Sequence, residues 1–161
     1  MEEEMDLILS RRGFILGACA ASVAAAVPTM ADTKPALHVL KDPNCGCCSA
    51  WVEIIQAEGF EVTVEESTGT TLARYKIDNG IPQGMGSCHT GKIAGYVIEG
   101  HVPPADIRRL LQERPDAIGL AVPGMPYGSP GMGPKTEREA YEVFLIRRDG
   151  STEVFSSYGA A

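Results

Sequence analysis

From residue 36 onward, short apolar runs alternate with amphipathic stretches. Ala36-Leu37-His38-Val39-Leu40 is an apolar run followed by Asp42, Pro43 and Asn44, which predicts a strand and then a turn. His38 alternates within that strand and reads as structural. From Cys48 to Glu58, the residues Trp51, Val52, Ile54, Ile55 and Ala57 recur at helical spacing, and Gly59 ends that helix. Phe60, Val62 and Val64 alternate with Glu61, Thr63 and Glu65, which predicts a second strand over 60–66. Thr70 or Thr71 is placed to cap a second helix through Leu72, Ala73, Tyr75 and Ile77 to Gly80. Residues 81–91 read as a loop, and 92–99 hold a strand centred on Ile93 to Ile98, alone or as a pair. Pro104 opens a third helix with Ile107, Leu110 and Leu111 on one face, ending before Pro115. Residues 121–134, AVPGMPYGSPGMGP, are a Pro/Gly loop carrying Met125 and Met132. Such a loop buries little by itself, so it is either mobile or fastened to something. Two last strands, 141–146 and 152–155, flank Arg148-Asp149-Gly150-Ser151, a hairpin signal.

This order, with a cysteine motif between the first strand and first helix, predicts an α/β thioredoxin- or glutaredoxin-like fold. The Pro/Gly/Met loop and the C-terminal β-hairpin are additions to it. A short strand–helix–strand crossover predicts a parallel pair.

The first residues read differently. Ser10-Arg11-Arg12-Gly13-Phe14-Ile15-Leu16 places twin arginines before large apolar residues and resembles a twin-arginine export signal. The weakly apolar run Gly13 to Val27 is about fifteen residues, shorter than the ~20 that span a bilayer. A cleaved signal peptide over 1–31 is therefore expected, rather than a stable membrane span, with Thr29-Met30-Ala31 as the cleavage site. Leu16-Gly17-Ala18-Cys19 has the form of a lipidation box, but too few residues separate Arg12 from Cys19 for its apolar stretch. The expected mature domain is 32–161, and its location the periplasm.

The whole chain of 161 residues carries a formal net charge of −7. Cleavage removes four acids and two arginines, leaving about −5. There is no basic block and little aromatic interleaving, which argues against nucleic-acid binding. Cleavage also removes Cys19 and leaves Cys45, Cys47, Cys48 and Cys88.

PNCGCCSAW, residues 43–51, puts Cys47 inside a C-x-x-C pair formed by Cys45 and Cys48. Two thiols suffice for disulfide exchange, so the third asks for another use. An oxidising compartment makes structural disulfides the default expectation. Yet bridges between Cys47 and either neighbour would be cramped, and Cys88 pairs with only one of the three. Cysteines at a helix N-terminus meet unpaired amides and the helix dipole, which favour the thiolate that attacks disulfides and binds metal. On the predicted fold the loop bearing Cys88 and His89 packs over these cysteines. His101 lies between a strand and the third helix. His89 and His101 read equally as ligands or as loop hydrogen-bonding residues, and Met125 and Met132 as ligands or as exposed loop residues. Thiolate and thioether donors together select soft metals, and methionine favours Cu(I) over zinc. Adjacent cysteines diverge, so they suit bridging several ions better than enclosing one.

Asp42-Pro43-Asn44-Cys45-Gly46-Cys47-Cys48 with Trp51, Gly59-Phe60, Ser87-Cys88-His89-Thr90, Gly95-Tyr96, Glu99-Gly100-His101-Val102-Pro103, Pro123-Gly124-Met125-Pro126 and Gly128-Ser129-Pro130-Gly131-Met132 together resemble the CopG family of bacterial copper-resistance proteins. These are exported copper proteins, distinct from the ribbon-helix-helix repressors of the same name. The likeness spans nearly all of residues 36–158. It implies a thioredoxin-like fold, a cysteine-bridged multinuclear copper cluster, and copper resistance through binding and interconversion of Cu(I) and Cu(II), a copper oxidoreductase activity. By motif, Cys45, Cys47, Cys48 and Cys88 carry over as cluster ligands. Met125, Met132, His89 and His101 carry over as motif residues, with ligation inferred from chemistry. Copper-export or copper-oxidase proteins would be the partners. The twin-arginine signal is not implied by the family. Two other readings stand beside this one: a periplasmic thiol–disulfide oxidoreductase with Cys45 attacking and Cys48 resolving, and a disulfide-stabilised module that binds another protein through its Pro/Gly loop.

Overall fold

The computed structural model describes residues 35–161; the expected export signal and Cys19 lie outside them. Seven strands, β1 (Ala36–Lys41), β2 (Glu61–Glu66), β3 (His89–Ile93), β4 (Tyr96–Glu99), β5 (Gly119–Ala121), β6 (Tyr141–Ile146) and β7 (Thr152–Tyr158), form one mixed sheet. Three helices, α1 (Gly46–Ala57), α2 (Gly69–Asp78) and α3 (Pro104–Glu113), lie between them. The strand order is β2-β1-β3-β4-β5-β6-β7. β1 runs parallel to β2 and antiparallel to β3, β4 parallel to β5, and the remaining neighbours antiparallel.

The apolar pattern explains this layering. β4 and β5 are buried along their whole length, as expected of central strands covered on both faces. β2 is an edge strand, and Val64 is 43% exposed despite its alternation. Trp51, Val52 and Ile55 of α1 join Ile107 and Leu110 of α3 in one core with Leu37, Val39, Ile98, Leu120 and Val143. Replacing a fully buried tryptophan such as Trp51 by alanine costs about 3–5 kcal/mol. Among the described residues, no helix is long and apolar enough to cross a membrane.

Several expected elements shift. α1 begins at Gly46, two residues before the first residue read as helical, so Cys47 and Cys48 lie in its first turn. Gly59 does follow its end, at φ +91. The residue capping α2 is Thr68, not Thr70 or Thr71, and it makes no side-chain cap bond. Ile77 is 71% exposed and contributes nothing to the core. Of the two readings of residues 92–99, one strand or a pair, the pair is what forms: they belong to the β3–β4 hairpin, turning at Ala94 and Gly95 with φ of 48° and 88°. Positive φ at both central positions is the two-residue turn whose twist matches the strands. β3 starts at His89, inside the segment read as a loop. β5 was not anticipated at all. The C-terminal hairpin of β6 and β7 forms as expected, with β7 three residues longer and a register shift at Val143/Phe144.

Candidate metal centre

Asp42, Pro43 and Asn44 end β1 in a tight turn. The Asn44 amide donates to Asp42 Oδ1 at 2.8 Å and the Cys45 amide to the Asp42 carbonyl at 3.1 Å. This turn delivers Cys45 as the N-cap residue of α1. Cys45 and Cys48 are joined in a disulfide, and Cys47 and Cys88 are free thiols. Where the sequence reading brought four cysteine thiolates together, the oxidised molecule therefore holds two free thiols and one disulfide. Cys47 Sγ lies 3.5 Å from Cys45 Sγ and 3.9 Å from Cys88 Sγ. The four sulfurs all lie within 4.8 Å of one another.

Cys88 is the junction of the site. Its Sγ stands 3.0 Å from His101 Nε2 and 3.4 Å from His89 Nδ1. These three residues form a second donor group with the same 4.8 Å limit, so Cys88 belongs to both. Burial, and after it the neighbouring Cys47, pushes the Cys88 thiol up to about 11. It is a thiol, not a thiolate, at neutral pH.

Both imidazoles present a ring nitrogen to Cys88. His101 Nδ1 lies 2.8 Å from the Pro130 carbonyl. A carbonyl only accepts, so Nδ1 carries the proton and the Nε2 lone pair faces Cys88. This is the arrangement by which ligating histidines are held in one tautomer. His89 is wholly buried, and its Nε2 has no hydrogen-bond partner. Burial lowers the pKa of His101, and lowers that of His89 far more, with His101 adding to the effect at His89. Neutral imidazole is the form that binds metal. The His89 ring packs against Trp51, centroids 4.4 Å apart, and edge-on to His101 at 5.1 Å.

The donor chemistry fits a soft ion. Cysteine sulfur together with two imidazole nitrogens, His89 Nδ1 and His101 Nε2, is a donor set that suits copper. Of the residues expected from sequence, Cys45, Cys47, Cys48, Cys88, His89 and His101 are brought together. Met132 follows Gly131, which sits directly on the first turns of α1, against the Cys47 carbonyl and the Trp51 amide. The Pro/Gly loop is thus fastened to the cysteine turn. Met125 is 55% exposed. His38 pairs with Glu65 at 3.3 Å on the sheet edge, as a structural residue would.

Sequence reasoning missed two contributors. Pro130 acts through its carbonyl, which no side-chain pattern reports. Trp51 was assigned to the core. It is also the wall behind His89, anchored by its indole N–H donating to the Val102 carbonyl at 2.9 Å.

Comparison with known proteins places this geometry. Residues 85–132 match the family described as "Protein of unknown function, DUF411". That span takes in Cys88, His89, His101, Met125 and Met132. No curated protein matches the chain. Two solved structures are similar to it, both of the copper resistance protein CopG. The form 1 structure is 45% identical, covering 79% of this chain and 100% of that one, with a TM-score of 0.74. The form 2 structure is 46% identical, covering 78% and 98%, with a TM-score of 0.72. A chain that matches CopG at this identity, along the whole of that protein's length, belongs to the CopG family of copper-resistance proteins.

Proposed function

We propose that this protein binds several copper ions, favouring Cu(I), in a thiolate-bridged centre, and interconverts Cu(I) and Cu(II) there as part of copper resistance. The observation that carries the reading is the position of Cys88. Its sulfur is shared by an all-sulfur group and a sulfur–imidazole group. A thiolate has lone pairs enough to bridge two ions, and a donor common to two sets is where a bridge belongs. The all-sulfur side suits Cu(I), whereas imidazole donors tolerate Cu(II) as well. Met132, on the loop pinned to α1, and Met125, which is exposed, are the thioether donors this loop would supply. The Cys45–Cys48 disulfide must accept two electrons, breaking the S–S bond to give two thiolates, before those sulfurs ligate, so loading depends on a reductant.

The reading includes a thioredoxin-like core, supported by the order β2-β1-β3-β4 with a parallel β1–β2 pair. It includes export through a signal peptide over 1–31, a mature domain 32–161 in the periplasm, and exchange of copper with export or oxidase proteins.

The test is anaerobic titration of the fully reduced protein with Cu(I) against a chromophoric chelator. Two or more ions per chain are expected, with fewer in Cys47→Ser and in Cys88→Ser. One ion or none, indifferent to both substitutions, refutes the proposal. A second reading draws on the disulfide itself. A Cys45–Cys48 bridge at a helix N-terminus is the arrangement of a thiol–disulfide oxidoreductase. Insulin reduction that survives Cys47→Ser and Cys88→Ser would favour it.

A further inference from the structure

We infer that Glu99 is a positioning residue for Cys88, holding that thiol at the junction of the two donor groups. The inference rests on the reading of Cys88 as a copper ligand. Glu99 ends β4 and is wholly buried. Its Oε1 accepts the Ser87 backbone amide at 2.6 Å and Lys76 Nζ at 2.5 Å. Its Oε2 accepts the Thr90 hydroxyl at 2.7 Å. Lys76, reaching in from α2, also donates to Thr90 Oγ1 at 2.8 Å. One carboxylate therefore grips the residue before Cys88 and the residue after His89.

Position along the chain explains why this grip matters. Thr90 stands opposite Glu99 in the β3–β4 ladder, and His89 pairs with Lys41 of β1 while its carbonyl accepts the Gly100 amide at 3.0 Å, so β3 is fixed from His89 onward. Ser87 and Cys88 precede the strand and have no ladder partners. The neighbouring loop adds its own contacts: Ser87 Oγ donates to the Gly124 carbonyl at 2.5 Å and the Gly124 amide to the Gly86 carbonyl at 3.1 Å. On the inner side, the Ser87 amide is tied down by Glu99.

A buried ion pair is a costly way to secure a loop. Apolar residues of similar volume often give equal or greater stability, because desolvation offsets the attraction between the charges. What a carboxylate supplies and an apolar side chain does not is a fixed acceptor for a backbone amide. Partners that orient a ligand in this way affect metal affinity by about 10- to 100-fold when removed.

The test uses Glu99→Gln, Glu99→Asp and the paired Lys76→Met/Glu99→Gln, which leaves no lone buried charge. Folding is checked by near-ultraviolet circular dichroism. In the metal-free reduced protein, iodoacetamide labelling of Cys88 is measured relative to Cys47 by peptide mass spectrometry. In all three variants that ratio should rise, since Cys88 is released and Cys47 is not. Cu(I) affinity should fall roughly 10- to 100-fold. In a Cys88→Ser background, Glu99→Gln should cause no further loss. An unchanged labelling ratio in a folded variant overturns the inference, whether or not the protein binds copper. So does a loss of affinity that persists at full size without Cys88. Failure of all three variants to fold overturns it as well, because the carboxylate would then serve the fold and not one thiol. Wild-type protein that binds no Cu(I) refutes the copper reading alone; the labelling ratio still decides the role of Glu99.

Discussion

Gly131→Ala should unseat the methionine loop from the cysteine turn. Gly131 has φ +84, a conformation that side chains rarely adopt. A β-carbon there would lie 2.7 Å from the Trp51 amide nitrogen and 2.8 Å from the Cys47 carbonyl oxygen. Both atoms belong to the backbone of α1, so no side-chain rotation relieves the clash. Two costs add. A left-handed conformation costs a non-glycine residue about 1–2 kcal/mol. Overpacking a tight contact costs about 1–3 kcal/mol more. We expect a loss of about 3 kcal/mol, which for a domain of this size lowers Tm by roughly 10 °C. The loop yields before the helix does, and it carries the Pro130 carbonyl that orients His101. Cu(I) affinity should therefore fall as well, by about tenfold. Thermal unfolding of the reduced, metal-free protein by circular dichroism measures the first effect, and chelator competition the second. A Tm equal to wild type, with unchanged affinity, would show that the loop does not rest on α1 and would refute the reasoning.

Three further outcomes follow from the same geometry. Gly46→Ala, although inside the cysteine motif, should be harmless: Gly46 opens α1, its φ is not positive, and an added β-carbon meets nothing within 4 Å. Tm should hold or rise, by at most about 1 kcal/mol in stability, with copper stoichiometry intact; a marked drop in either would contradict it. Because Cys88 stays protonated up to about 11, Cu(I) binding at neutral pH must expel its proton. Calorimetry in buffers of different ionisation enthalpy should count one proton fewer in Cys88→Ser, and an equal count would exclude Cys88 as a thiolate ligand. At the far side of the sheet, burial raises Tyr141 to about 12, and burial plus a 2.7 Å bond to Asp106 raises Tyr158 as well. A tyrosine whose folded pKa is raised stabilises the fold below its unfolded value near 10, and that contribution is lost as pH rises through about 12. Alkaline unfolding should thus accompany the last tyrosinate absorbance to appear, and early ionisation of all five tyrosines in folded protein would refute this.

The parts of the fold legible in the sequence were those with a strong period. Trp51, Val52 and Ile55 marked the buried face of α1, and Ile107 and Leu110 that of α3. The β3–β4 segment stayed open between one strand and a pair because Ala94-Gly95 lacks the asparagine or aspartate usual at such turns. β5 was hidden because three residues, Gly119 to Ala121, are too few to show any period. At the site, Cys45, Cys47, Cys48 and Cys88 announced themselves by spacing and residue type. The roles of His89 and His101 did not. The His101 tautomer depends on the Pro130 carbonyl, and the placing of His89 on its packing against Trp51, which are facts of tertiary structure. Glu99 gave no sign, since a charged residue at a strand end is ordinarily solvated.

The donors come from stretches of chain that differ in when they become neighbours. Cys45, Cys47 and Cys48 are close in any conformation, folded or not. Cys88, His89 and His101 arrive only once β3 has paired with β1 and β4. Once Cys45 and Cys48 are reduced, an unfolded chain therefore already offers copper a partial, three-thiol grip. By mass action a ligand stabilises the native state only by the excess of its affinity for that state over the unfolded one. Copper bound early thus discounts its own contribution to stability, and a chain metallated before it folds starts from a deeper unfolded well than one that folds first.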